Sequence, residues 1–209
     1  PAEFTGIVTL TSPVIDEGDD ALSVDENATT LDFDQRGPGF PRNGGAAVDM
    51  GAFEGTVEIN CAATTVLVSN EVELNEAILC FNRLTSAVAY TIEFEADIDL
   101  TTNLTRIRNS TNDISLLIDG AGYTLDGMTD YDTFVINDTP TVEIDHITIT
   151  GSFDDGIDSS LSNLRVSRTT ITRSDSDGIE FEDGDLVVVE STLVDNADNA
   201  IDASANSVA

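Results

Sequence analysis

This chain of 209 residues predicts an all-β solenoid, a coil of short strands, on three observations. Ile157, Ile179 and Ile201 recur every 22 residues, as do Leu164, Leu186 and Val208, while Val166 pairs with Val188 and Ile171 with Leu193. A fixed period of that size marks units too small to bury an apolar face alone, so they must stack. Within each unit apolar and polar residues alternate, as in Ile179-Glu180-Phe181-Glu182 and Leu186-Val187-Val188, which is the pattern of half-buried strands. Glycines in the stretch from Leu116 to Gly127 punctuate the pattern; Gly120, Gly122 and Gly127 are expected at corners with positive φ.

Composition narrows the function classes. Forty acidic residues stand against eight basic ones, all arginine, for a formal charge of −32. Nucleic acid is excluded as a direct partner, because phosphates are bound by neutralising them with cationic side chains. An anionic membrane surface is disfavoured on the same ground. Three readings of the charge remain: a solvated surface, adaptation to a salty medium, or divalent cation binding outside the cell. All three suit an extracellular or cell-surface protein. No apolar run reaches the 18 residues a membrane-spanning helix requires. The start at Pro1 fits a mature or excised piece.

From the N-terminus, residues 1–58 are rich in turns. A strand-like Phe4-Thr5-Gly6-Ile7-Val8-Thr9-Leu10 precedes three phrases dense in glycine and proline, a composition that wraps a surface in turns and extended pieces. "SPVIDEGD" (12–19), "DQRGPGFPR" (34–42) and "VDMGAFE" (48–54) together resemble the closing segment of bacterial or archaeal surface and secreted parallel β-helix proteins, of the choice-of-anchor and polymorphic-outer-membrane type. The usual forms there are closer to "SPAIDAGD" and "VDIGAFE", so Val14, Glu17 and Met50 depart from them. Residues 59–209 then form a second region. Asn70-Glu71-Val72-Glu73 has capping-box spacing, and Val72, Ala77, Leu79, Phe81 and Leu84 follow, so a helix is expected over about 71–83. Cys80 lies on it and Cys61 in the preceding entry strand. The pair is read as a disulfide pinning helix to first coil, with two free thiols as the alternative. A single distant histidine, His146, makes no zinc site with them. "VSNEVELNEAILCFNRL" followed by the strand Tyr90–Phe94 is similar to the entry helix of the same family, and the resemblance implies a right-handed parallel β-helix.

Strands are expected to recur at Leu104 and Ile107, Leu116 and Ile118, Tyr123 and Leu125, Phe134 and Ile136, Val142 and Ile144, and Ile147 and Ile149. The order of parts, a closing segment before an entry helix and an unfinished coil at Val208, suggests either tandem β-helix domains or copies joined head to tail. The resemblance implies a structural, adhesin-like or filament-forming protein.

Candidate chemistry sits in acidic columns. Asp158, Glu180 and Asp202 share one position of the repeat, and Asp155, Asp177 and Asn199 share another. Stacked coils bring such residues about 4.8 Å apart, where like charges repel by roughly 1 kcal/mol in water, so a bound calcium would relieve them. Calcium is thus a candidate cofactor, the other reading being carboxylates splayed into water with Asp or Asn simply serving the turn before a strand; the alternative function is a calcium-dependent module for a glycan or cell-surface ligand. "DSDGIEFEDGD" (175–185) is no EF-hand, since its first glycine stands fourth rather than sixth. Asp154-Asp155-Gly156 resembles the paired aspartates of polygalacturonases, but no Gly-His-Gly or Arg-x-Lys accompanies it, and no catalytic residue is assigned. His146, aligned with Arg168, is read as an outward ladder residue of a "DHITIT" strand. Acceptor sequences for N-glycosylation stand at Asn27, Asn103, Asn109 and Asn137.

Overall fold

The 22-residue period becomes a stack of coils in the computed structural model, which describes residues 61–204. The expected closing segment (1–58), the acceptor Asn27 and the ladder position Val208 lie outside those residues. The described chain opens with β1 (Thr65–Val68) and the helix α1 (Glu71–Asn82). The next coil supplies β2 (Ala89–Phe94) and β3 (Ile98–Asp99); then come β4 (Ser115–Asp119), β5 (Thr124–Tyr131) and β6 (Phe134–Asn137). Three further coils give β7 (Thr141–Asp145), β8 (Thr148–Ser152) and β9 (Ile157–Ser160); β10 (Asn163–Ser167), β11 (Thr170–Thr172) and β12 (Ile179–Glu182); and β13 (Leu186–Val189), β14 (Thr192–Val194) and β15 (Ile201–Ser204). They form three parallel sheets, ordered β1-β2-β4-β7-β10-β13, β14-β11-β8-β5-β3 and β15-β12-β9-β6.

Coil length is not uniform. Leu116 faces Val142, 26 residues on, whereas Val142 faces Leu164 and Leu164 faces Leu186, each 22 on. Early coils carry the extra residues in their corners. Leu104 falls in no strand, and Ile107 makes only an isolated bridge to Ile136.

Inward columns fill the interior. Leu116, Val142 and Leu164 form one; Leu125, Ile149 and Ile171 another; Phe134, Ile157 and Ile179 a third, and each of these side chains is at most 1% exposed. Each contributes roughly 1.5–3 kcal/mol of apolar burial. In a neighbouring column Ser159 lies between Ile136 and Phe181, where its small side chain leaves room for the ring. Its hydroxyl is buried without a hydrogen-bond partner. Ser159→Ala is therefore expected to raise stability by about 1 kcal/mol, since an unsatisfied buried hydroxyl costs about that much, and to raise Tm by roughly 2–4 °C in a thermal melt.

The chain turns between strands by placing single residues in the left-handed region. His146, Arg168 and Glu190 (φ 51, 50 and 51) bend one corner column; Gly151, Arg173 and Asp195 (φ 59, 57 and 59) another; Asp138, Leu161 and Asp183 (φ 50, 54 and 57) the third. His146 is thus a corner residue, still aligned with Arg168 but outside any strand. Only Gly122 of the three expected corner glycines has positive φ. Gly120 is required for a different reason: a Cβ there would stand 2.3 Å from Ile147 Cβ. Gly127 likewise abuts the carbonyl oxygens of Gly151 and Tyr131, each 2.5 Å from a Cβ built on it.

Helix α1 joins the first coil through Leu74, Ala77, Ile78 and Phe81, one stripe at spacings of three and four; Val72, Leu79 and Leu84 at its margin are half-buried. Asn70 Oδ1 accepts the Glu73 N–H at 3.0 Å, and the Glu73 carboxylate accepts the N–H and hydroxyl of Ser69. The capping box therefore closes one residue earlier than expected. A Cys61–Cys80 disulfide ties the helix to the turn before β1, with Cys61 in the turn rather than in a strand. Polar side chains join helix and coil as well. The buried Glu71 carboxylate accepts four hydrogen bonds from Thr101 and Thr102, Asn75 accepts the Thr105 N–H at 2.7 Å, and Asn82 accepts the Arg108 N–H at 2.8 Å.

Candidate functional site

The corner leading into β9, β12 and β15 gathers the acidic columns. Ser152-x-x-Asp155-Gly156-Ile157 recurs as Ser174-x-x-Asp177-Gly178-Ile179 and Asn196-x-x-Asn199-Ala200-Ile201. Asp155 Oδ1 accepts the Asp177 N–H at 2.8 Å, and Asp177 Oδ1 accepts the Asn199 N–H at 2.6 Å. Each aspartate thus pegs the coil above it, and both are only 7% exposed. Gly156 and Gly178 follow because the next coil's backbone lies against them: a Cβ on Gly178 would stand 2.6 Å from Ala200 O.

Beside these pegs Glu180 faces Asp158 on one side and Asp202 on the other. The structure joins the two predicted columns, because Glu180 hydrogen-bonds Asp155. That bond, with burial and the charges of Asp155, Asp158 and Glu182, pushes the Glu180 carboxyl up to about 7. Burial and then Asp155 raise Asp158, with Glu182 and Asp154 adding to the rise and Arg106 opposing it. Asp154 is raised by burial and by Asp155, Asp132 and Asp177. Burial, then Asp155, raises Asp132, whose Oδ1 is buried without a partner. On another face Asp145 behaves oppositely: the Arg168 guanidinium hydrogen-bonds it and holds its carboxyl below the usual range.

A raised carboxyl binds its proton more tightly folded than unfolded. Glu180 therefore stabilises the fold below its ordinary pKa, and that stability is lost as pH rises from about 4.5 to about 7. Because Glu180 is partly exposed, we expect a loss of about 1 kcal/mol after solvent screening. Thermal melts from pH 4.5 to 8 should show it, and Glu180→Gln should flatten that limb.

The same corner carries an irregularity. Pairing of β5 with β8 shifts between Asp126 and Tyr131, and Met128 and Thr129 both take positive φ (57 and 63), unusual for a bulky residue and a β-branched one. Asp126 Oδ1 accepts the Met128 N–H at 2.8 Å, and Gly151 leaves room for this bulge. Beside it Phe153 donates its N–H to Tyr131 O at 3.1 Å and points outward, 58% exposed, with Met128 48% exposed. Sequence reasoning passed over Asp132, Met128 and Phe153. A signal existed: the repeat puts Phe153 in the place of Asp175 and Ala197.

The other candidates separate. Asp154 is exposed while its neighbour Asp155 serves the backbone. Among the described residues no group of three or more His, Cys, Asp or Glu side chains is placed to hold a metal ion. Asn109 is 5% exposed and its amide nitrogen donates to Phe81 O and Leu84 O, so a glycan has no room there in the folded coil. Asn137 donates to Ser160 Oγ at 2.7 Å, and Asn103 is exposed. Comparison with protein-family models, with curated proteins and with solved structures returns no match.

Proposed function

We propose that this chain is a structural, extracellular or cell-surface rod, adhesin-like, whose units join head to tail at the β13–β14–β15 coil. The observation that carries this reading is the fate of the inward ladders. Ile157 and Ile179 are fully buried, but their successor Ile201 is 40% exposed, and β13, β14 and β15 are the last strands of their sheets among the described residues. Among the described residues no strand pairs with the outer edge of this coil, which together with its apolar floor suits the addition of a further coil or of another copy. At the other end α1 and the disulfide close the first coil, so growth at the two ends is unequal. The disulfide and the acidic surface agree with export.

Electron microscopy with light scattering on the intact chain across a hundredfold concentration range tests the proposal. Rods that lengthen with concentration, and shorten in Ile201→Asp, are the expected result. Monomers at every concentration would sink it. The alternative, a calcium-dependent module for a glycan or cell-surface ligand, draws on the Asp158–Glu180–Asp202 column. It predicts a Tm that rises with millimolar calcium and falls back with chelator.

A further inference from the structure

We propose that the tip formed by Met128 and Phe153 is a docking surface for a cationic peptide segment of another protein. An apolar side chain of the partner seats on the tip, and its lysine or arginine side chains enter the carboxylates beside it. The tip is apolar where the chain has no structural need of it. Phe81, Phe94, Phe134 and Phe181 are buried, each at most 5% exposed, whereas Phe153 is 58% exposed and Met128 beside it 48%. The backbone that presents Met128 departs from the repeat through two successive left-handed residues, an arrangement costing of order 1–3 kcal/mol per residue.

Charge selects the occupant. Asp130 and Asp132 follow the bulge, Asp154 follows Phe153, and Asp158 and Glu180 continue the surface. One oxygen of Asp132 is buried and receives no hydrogen bond. Arg106 opposes the rise of Asp158, and Arg173 stands 4.0 Å from Asp126 at the base of the bulge, so two arginines offset these carboxylates only in part. Calcium draws oxygen ligands to about 2.3–2.6 Å around one point, and among the described residues no such convergence of three groups exists. Lysine and arginine on long flexible stems reach separate carboxylates instead. A second copy is a poor source of them, since this chain has no lysine and carries −32.

The test uses two synthetic peptides of equal length and charge, one alternating arginine with leucine and the other arginine with serine, titrated calorimetrically into the intact protein. At about 0.5 M salt the Debye length shrinks to roughly 4 Å, which suppresses binding by long-range charge alone. The leucine peptide is expected to keep at least about a tenfold advantage there, equivalent to one factor of 1.4 kcal/mol. Phe153→Ser should remove most of that advantage, and Leu161→Ser, at an exposed leucine on a different corner, should leave it intact. Both positions are exposed, so both variants should fold, as circular dichroism can verify. Equal affinity of the two peptides, loss of both in salt, or no response to Phe153→Ser overturns the proposal.

Discussion

Gly156→Ala is expected to destabilise the protein by about 3 kcal/mol and to lower Tm by roughly 6–12 °C, the scale for overpacking against groups that cannot yield. A Cβ on Gly156 would stand 2.4 Å from Ile171 Cγ2, 2.7 Å from Gly178 O and 2.9 Å from Ser174 Oγ. The isoleucine is fully buried and the carbonyl belongs to the neighbouring coil, so relief requires coils to part. The same column holds its own control. Ala200 stands where Gly156 and Gly178 stand, on the last of the described coils, and Ala200→Gly should change stability by less than about 1 kcal/mol, the backbone-entropy scale. Thermal melts of the pair check both. Equal and small effects would mean that the coils are not in close contact at this corner.

Glu71→Ala is the second large effect, expected at about 3–4 kcal/mol. Its carboxylate, 9% exposed, accepts from the N–H and hydroxyl of both Thr101 and Thr102, so truncation strands two backbone donors and two hydroxyls at the seam between helix and coil. Glu71→Gln keeps one acceptor oxygen and should lose less, about half. Hydrogen exchange should locate the damage, with amides of Thr101 to Thr111 and of α1 losing protection before those of β10 to β12.

These two residues also mark how far sequence reasoning reaches. The isoleucine ladders were legible because period and packing are the same fact: equivalent residues stack, so their spacing survives in the chain. Gly156 and Gly178 share that period, but the close approach that demands glycine is made by a neighbouring coil and leaves no local trace. Corner geometry was hidden for a related reason. Arg168, Glu190 and Leu161 take left-handed φ because the sheets on either side fix the bend, and no propensity of theirs announces it. Early coils of 26 residues obscured their own pairing, so Leu104 was placed in a strand that does not exist.

At the acidic corner the columns were legible, and so was a turn-serving duty as one of two readings, but not which carboxylates would take it. An aspartate that pegs a backbone N–H and one that awaits a ligand read identically; only the 2.8 Å bond from Asp177 N separates Asp155 from Glu180. Asn75 left a clue that went unused, being a poor helix former fully buried inside α1.

Distance between spin labels on the outer surface tests the stacked-coil account most directly. Thr148 and Thr170 face each other in neighbouring strands, as do Thr170 and Thr192. Labels at 148 and 170 should couple at about one strand spacing, near 4.8 Å between backbones, and labels at 148 and 192 at about twice that. Separations that are equal for the two pairs, or several times larger than a strand spacing, would contradict the solenoid and every inference built on it.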